Sequence, residues 1–123
     1  MSIIRKCMKC GAMVEVIKDC TCENCGIKCC GEVMQALTLN TTDASAEKHL
    51  PQIEIVGSYI IVNVPHDMTE EHHIEWIAME CDGVKGKKYL QINNPAKAVF
   101  PYITGSKVYS YCNKHGLWVN DVK

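Results

Sequence analysis

The sequence contains the stretch Tyr111-Cys112-Asn113-Lys114-His115-Gly116-Leu117-Trp118, which links two short segments rich in valine, tyrosine and tryptophan. These segments, 107–112 and 116–119, are strand candidates joined by a tight turn. The turn places a thiol and an imidazole three positions apart, beside a glycine that can adopt a positive φ. A thiolate and an imidazole at this spacing are typical of a metal-binding turn. The stretch therefore predicts two metal ligands, Cys112 and His115, at one end of a β-hairpin.

The region upstream of this turn has the pattern of an antiparallel β protein. Four more short segments, 53–64, 72–80, 87–92 and 96–100, are rich in Ile, Val, Tyr and Trp, and turn residues such as Asp82-Gly83 separate them. Strands at such intervals predict an all-β sandwich or barrel.

Three upstream histidines occur in two unusual phrases, Glu47-Lys48-His49-Leu50-Pro51 and Pro65-His66-Asp67-Met68-Thr69-Glu70-Glu71-His72. Strand alternation places His72, Ile74 and Trp76 on one inward face and His73 on the other. A lone inward histidine is more often a hydrogen-bonded core residue than a ligand. Together with the turn, however, these histidines complete a set of four nitrogens and one sulfur. Zinc prefers four ligands and iron accepts five or six, so this set favours iron.

Composition limits the class of protein. The chain has 123 residues, of which 47% are hydrophobic, and this length suits one domain, or one domain with a small appendage. A formal charge of -1 provides no general electrostatic attraction to nucleic acid or to an anionic membrane. The N-terminal residues lack an apolar signal core, and the longest apolar run, 59–62, is too short to cross a bilayer. We expect a cytoplasmic protein with no nucleic-acid or membrane partner.

The distribution of cysteines predicts two separate sites. Seven of the nine cysteines fall between Cys7 and Cys30, and the other two, Cys81 and Cys112, lie far downstream. Without an export signal, this many cysteines favours metal binding over a disulfide framework. A polar stretch without periodicity, 38–46, suits a connector. We therefore predict two domains, a cysteine-rich domain over 1–37 and a β domain over 38–123.

The first domain has too few apolar residues to fold without a metal or a cross-link. The pairs Cys7/Cys10 and Cys22/Cys25 have the spacing of a zinc ribbon or of a rubredoxin-type pair of knuckles. This signal is strong for a metal and weak for which metal.

At the three histidine-bearing phrases the sequence resembles superoxide reductase, in the two-domain form called desulfoferrodoxin. The resemblance implies an immunoglobulin-like β-barrel for the second domain. It implies an iron held in a plane by four histidines and axially by a thiolate, with an open face opposite the sulfur; these ligands are His49, His66, His72, His115 and Cys112. The implied activity is the one-electron reduction of superoxide to hydrogen peroxide, with electrons from a rubredoxin-like donor. A homodimer is also implied.

The same resemblance assigns roles to the two residues before His49. Lys48 would attract the superoxide anion and help to protonate the product through water. Glu47 would ligate the oxidised iron after the product leaves, which makes the protein a reductase rather than a dismutase.

The N-terminal phrases Cys7-x-x-Cys10-Gly11, Val14-Glu15-Val16 and Cys29-Cys30-Gly31 resemble the desulforedoxin-type domain. The implied ligands are Cys7, Cys10, Cys29 and Cys30. The sequence departs from this pattern in a longer loop with three further cysteines, Cys20, Cys22 and Cys25, which are alternative ligands. A mononuclear Fe(Cys)4 centre, an iron–sulfur cluster and a structural zinc all suit four sulfurs.

Two other functions are consistent with the same residues. A non-catalytic iron electron-transfer protein would agree with the rubredoxin-like N-terminal domain, and a superoxide dismutase would use the same iron in both directions. A carrier has no use for a reactive open coordination position, and only a dismutase evolves dioxygen. For Trp76 and Trp118 we expect a place in the core, and for His73 and Cys81 no role in a site.

Overall fold

The computed structural model describes residues 3–22, 26–39 and 49–123. Most of the predicted connector, together with Cys25, Glu47 and Lys48, lies outside the described residues. The chain divides into two compact units, Met1–Thr38 and Leu39–Lys123, one residue beyond the predicted boundary. Within the described ranges, no helix has the length and hydropathy needed to cross a membrane.

The second unit is a sandwich of two antiparallel sheets. One sheet has the order β10-β7-β6, and the other has the order β12-β11-β8-β9. The strands are β6 (Gln52–Val56), β7 (Tyr59–Val64), β8 (Ile74–Cys81), β9 (Val84–Tyr89), β10 (Ala96–Pro101), β11 (Lys107–Cys112) and β12 (Gly116–Asp121). Seven strands in two such sheets form an immunoglobulin-like arrangement, which confirms the predicted all-β architecture.

The core of this unit lies between the two sheets. Every second residue of β7 and of β10 is buried, as expected for strands with one face in the core and one in water. Phe100 and Ile60 from one sheet belong to the same buried cluster as Met79, Ile77 and Val108 from the other. Burial of this apolar surface stabilises the unit without help from a metal.

One predicted strand is in fact a hairpin. The segment 53–64 is apolar enough to be a single strand, but β6 and β7 pair antiparallel across the two-residue turn Gly57-Ser58, with Val56 opposite Tyr59. A glycine at the first central position of a two-residue turn suits hairpin closure, since it adopts the required positive φ. The composition of the strands did not reveal this turn.

The predicted alternation along 72–77 holds for His72, which joins the ligand group, and for His73, which does not, but it breaks within β8. Strand β8 begins at Ile74, and Ile74 and Ile77 both lie in the core cluster although they are three positions apart. Trp76 is buried but stacks on Tyr111, at 5.6 Å between ring centroids, and is not part of that cluster. The cause is a register shift opposite the Tyr111/Cys112 step, where an extra residue in β8 forms a bulge.

The first unit is small and has little core. Strands β1 (Ile3–Lys6), β2 (Met13–Val16) and β5 (Gln35–Ala36) form one sheet, and β3 (Lys28–Cys29) and β4 (Glu32–Val33) form a short hairpin. Among the described residues of this unit, only Ile4, Cys7 and Met34 are buried. So small a core agrees with the expectation that this unit needs a metal.

A substitution at Gly86 on β9 would test the packing of the sandwich. A Cβ at this position would meet the Phe100 ring at 3.0 and 3.2 Å. We expect Gly86→Ala to lower the free energy of unfolding by about 1–3 kcal/mol, because the core has no room for the methyl group. Chemical denaturation measures this, with Val84→Ala on the exposed part of β9 as a control. Equal stability of the two variants would contradict the packing.

Candidate metal centres

The turn between β11 and β12 places a thiol and an imidazole close enough together to bind one metal ion. Cys112 pairs with Gly116, so Asn113, Lys114 and His115 form a three-residue loop. The backbone N–H of His115 approaches Cys112 Sγ at 3.4 Å, and the thiol is fully buried. An N–H group directed at sulfur stabilises the thiolate form, which is the form that binds a metal.

Two further histidines belong to the loop between β7 and β8. His66 Nδ1 lies 2.6 Å from the carbonyl oxygen of Asp67, which leaves Nε2 for another partner. The hydroxyl of Thr69 donates to the carbonyl of His72 at 3.0 Å and accepts from its N–H at 3.1 Å. These local hydrogen bonds hold the loop that carries both rings.

The fourth imidazole comes from His49, which is 3% exposed. His49 precedes the buried Pro51, and Ser110 Oγ donates a hydrogen bond to the His49 carbonyl at 2.8 Å. His49 is therefore tied to β11, the strand that carries Cys112.

The four imidazoles direct one nitrogen each at a common centre. Along three edges of the group, the nitrogen atoms are 3.0 Å apart for His49 and His115, 3.2 Å for His115 and His72, and 3.2 Å for His49 and His66. The rings of His66 and His72 close the fourth edge, with centroids 4.4 Å apart, whereas the diagonal pair His49 and His72 is 6.3 Å apart. The four rings therefore follow one another around a common centre in the order His49, His115, His72 and His66, and we call their four nitrogens the nitrogen square.

The square fits a metal ion. A point at the centre of a square with these edges lies about 2.2 Å from each corner, close to the ~2.1 Å bond of imidazole to a first-row metal. Cys112 Sγ lies 3.5 Å from His66 Nε2 and 3.7 Å from His115 Nδ1, within the group whose ligand atoms all lie within 4.8 Å of one another. Four nitrogens with a fifth donor exceed the usual coordination of zinc and suit iron.

The protonation of His72 agrees with a role as a ligand. Burial lowers the pKa of this imidazole below its ordinary value, and the positive charges of His66, His115, Lys114 and His49 lower it further. A lowered pKa keeps the ring neutral near pH 7, and only a neutral ring has a lone pair to offer a cation.

The first unit contains a second cluster. The sulfur atoms of Cys7, Cys10, Cys29 and Cys30 all lie within 4.8 Å of one another. Cys10 Sγ is 3.6 Å from Cys29 Sγ, and Cys29 Sγ is 3.9 Å from Cys30 Sγ. Four thiols at these distances suit a tetrahedral metal site.

Two turns build this cluster. The backbone N–H of Cys10 approaches Cys7 Sγ at 3.5 Å, in the same arrangement as His115 and Cys112 in the other unit. Cys30 and Gly31 have φ of 55° and 78° and form the two-residue turn between β3 and β4. Positive φ at both positions is the signature of a type I′ hairpin.

The pKa values of the clustered thiols are shifted in opposite directions. Hydrogen bonding from the Cys10 backbone lowers the pKa of Cys7 to about 6, while hydrogen bonding with the Cys10 thiol raises the pKa of Cys29 to about 12. Four adjacent sulfurs do not all lose their protons without mutual repulsion. A cation at the centre removes that repulsion, so metal binding and deprotonation occur together.

Known proteins share both parts of the chain. A family model described as desulfoferrodoxin matches residues 41–121. The desulfoferrodoxin of Syntrophotalea carbinolica is 42% identical over 122 residues, which cover 96% of this chain and 94% of that protein. The chain belongs to the desulfoferrodoxin family. This membership confirms the resemblance inferred from the histidine-bearing phrases.

Other desulfoferrodoxin relatives are named for an activity. The superoxide reductase of Pyrococcus abyssi is 34% identical over 109 residues, covering 70% of this chain and 95% of that protein. The crystal structure of the superoxide reductase from Treponema pallidum superposes with a TM-score of 0.71 at 25% identity, covering 96% of this chain and 98% of that one. The fold is therefore that of superoxide reductases.

Two of the alternative thiol ligands lie outside the described clusters. His73, for which no role in a site is expected, also lies apart from the other histidines, with Nδ1 2.9 Å from the Thr69 carbonyl oxygen. Cys20 is free and exposed, and Cys22 is disulfide-bonded, so the group of four described sulfurs includes neither. Glu47, Lys48 and Cys25 lie outside the described residues.

No sequence motif marks the residues that hold the His49 segment. Besides Ser110, these are Trp118, whose ring stacks on His49, and Asn120, whose side-chain amide donates to the Pro51 carbonyl at 2.9 Å. A signal existed for Ser110, since alternation along a strand places it on the same face as Cys112.

A pair of double variants tests the ligand set of the N-terminal unit. We expect Cys29→Ser with Cys30→Ser to lose the metal of this unit, because a hydroxyl does not replace a thiolate in a four-sulfur site without a large loss of affinity. We expect Cys22→Ser with Cys25→Ser to retain it. Metal analysis of each purified variant measures the outcome.

The reverse result would support the ribbon-type pairing of Cys22 and Cys25. Loss of metal in both variants would indicate a cluster that uses the additional sulfurs. The metal of the second unit serves as the internal control, because its five candidate ligands include no residue of the first unit.

Proposed function

We propose that this desulfoferrodoxin is a superoxide reductase that reduces superoxide to hydrogen peroxide with one external electron. The observation that carries the proposal is the convergence of four imidazole nitrogens in a square with one buried thiol beside it. His49, His66, His72, His115 and Cys112 would hold an iron ion there. The iron would supply the electron, by changing between its ferrous and ferric states.

The buried thiolate of Cys112 favours electron donation from this centre. The sulfur is excluded from water, and the N–H of His115 is directed at it, an arrangement that would support a negative charge on this ligand. A thiolate ligand increases the electron density of an iron centre, as in cysteine-ligated haem enzymes. The same arrangement would be of little use to a hydrolytic metal site.

Glu47 and Lys48 would complete the chemistry, since they directly precede His49 in the sequence. The ammonium group of Lys48 would attract the superoxide anion and help to deliver the protons that peroxide needs. The carboxylate of Glu47 would bind the oxidised iron, which prevents reaction with a second superoxide. The family resemblance implies these roles, and the position of both residues beside a metal ligand supports them.

The proposal also includes the source of electrons, the oligomeric state and the cellular location. A second iron bound by Cys7, Cys10, Cys29 and Cys30 would be a mononuclear Fe(Cys)4 centre, and a rubredoxin-like protein would be the external donor. We also propose a homodimer and a cytoplasmic location. The location is supported by the seven cysteines that are free among the described residues, against one, Cys22, that is disulfide-bonded, since thiols remain reduced in that compartment.

The products of the reaction test the activity. With a reductant present, we expect one peroxide for each superoxide consumed and no evolved dioxygen, measured by stopped-flow consumption and an oxygen electrode. Cys112→Ser is the control. It should lose the sulfur-to-iron absorption band and most turnover while retaining the fold, because the core of the sandwich does not depend on one thiol.

Evolution of one dioxygen for every two superoxide ions would identify a dismutase instead. An iron-loaded protein that consumes no superoxide would favour the electron-transfer alternative. An unchanged spectrum in Cys112→Ser would contradict the assignment of the axial sulfur.

The role of Lys48 is tested through its charge. We expect Lys48→Ala to slow the second-order reaction with superoxide by about tenfold at low ionic strength and to flatten its salt dependence, because one steering charge is removed. Lys107→Ala is the matched control, since it removes the same charge at the end of β11 far from Cys112. Equal rates and salt slopes in the two variants would make Lys48 an ordinary surface residue.

A further inference from the structure

His49 is held differently from the other three histidines. His115 lies in the turn between β11 and β12, and His66 and His72 lie in a loop closed by its own hydrogen bonds. His49 belongs to none of the described strands, and a ligand in such a position needs another support. Its position is held by side chains that reach it from the β11–β12 hairpin.

The first support acts on the backbone. Ser110 is fully buried, and its hydroxyl donates to the His49 carbonyl at 2.8 Å. Asn120 adds a similar hydrogen bond to the Pro51 carbonyl at 2.9 Å. Together these contacts determine how far the 49–51 segment lies from the hairpin.

The second support acts on the ring. Trp118 stacks on the His49 imidazole with ring centroids 5.0 Å apart and an interplanar angle of 21°. The angles between neighbouring histidine rings in the site are much larger, for example 84° between His49 and His115. The neighbouring histidines contact the His49 ring only by their edges. The indole therefore determines the plane of the His49 ring.

The indole of Trp118 is not held by a hydrogen bond to any described residue. It is 5% exposed, and its indole Nε1 has no hydrogen-bond partner among the described residues. A buried N–H group without a partner costs free energy, so the packing of the core alone would favour a phenyl ring over an indole. A phenyl ring and an indole can both stack a flat face against the imidazole.

We propose that Ser110 and Trp118 are positioning residues that hold His49 Nε2 on the nitrogen square. The two residues are opposite each other in the pairing of β11 with β12, the hairpin that also carries Cys112 and His115. One rigid hairpin thus determines the positions of three of the five ligands. The inference rests on the proposed function only in taking this group of ligands as the iron site.

The test uses iron release and the spectrum rather than turnover. We expect Trp118→Leu and Ser110→Ala to release iron to a chelator at least about 10-fold faster than the wild type, the scale of effects from residues that orient metal ligands. The electron paramagnetic resonance spectrum of the oxidised protein should also change, since one ligand nitrogen would have moved. Trp118→Phe keeps a flat ring and should remain within a few-fold of the wild type.

Trp76→Phe is the matched control, because Trp76 is equally buried but stacks on Tyr111 rather than on a ligand. Thermal unfolding of the metal-free proteins separates loss of stability from loss of positioning. A lower melting temperature in Trp118→Leu and Ser110→Ala, with unchanged iron release and spectrum, would overturn the proposal. Because neither readout depends on turnover, the result holds even for a protein that fails to reduce superoxide.

Discussion

The pairing of β11 with β12 around a three-residue turn is the constraint on which the site depends. Backbone hydrogen bonds of the ladder fix the positions of Cys112 and Gly116. In the loop between them, the N–H of His115 is directed at the Cys112 sulfur. The inner face of the same hairpin carries Ser110 and Trp118, which contact His49. The loop with His66 and His72 is tied to the same turn, because the Asn113 side chain accepts from the His73 N–H at 3.0 Å and donates to the Glu71 carbonyl at 3.0 Å.

The two units contain the same kind of metal-binding turn in different surroundings. In each, a cysteine is followed three residues later by a second ligand whose N–H approaches the first sulfur, and then by a glycine with positive φ. In the second unit this turn lies at the edge of a large apolar core. In the first unit the described core is three residues, so the metal itself must provide much of the stability.

Much of the site could be predicted from the sequence because its ligands lie in short phrases with local causes. The spacing of Cys112 and His115 indicates a metal turn whatever surrounds it, and the phrase around His66 and His72 is unusual for a surface loop. Two predictions failed where a single residue changed the geometry. The turn at Gly57 divides one apolar segment into two strands, and the bulge in β8 breaks the alternation, so that Ile74 and Ile77 both lie in the core cluster.

The sequence by itself determined the all-β class and the histidine and cysteine phrases of the second unit, since these follow from residue types and spacing. In the first unit, spacing favoured Cys22 and Cys25, and only the family resemblance indicated Cys29 and Cys30. Only the tertiary structure decided that four nitrogens form a square and that Trp118 packs flat on His49. His49 and Trp118 are far apart in the chain, and no local pattern links them. Their contact exists because the two sheets and the hairpin bring distant segments to one edge of the sandwich, and that requires the whole fold.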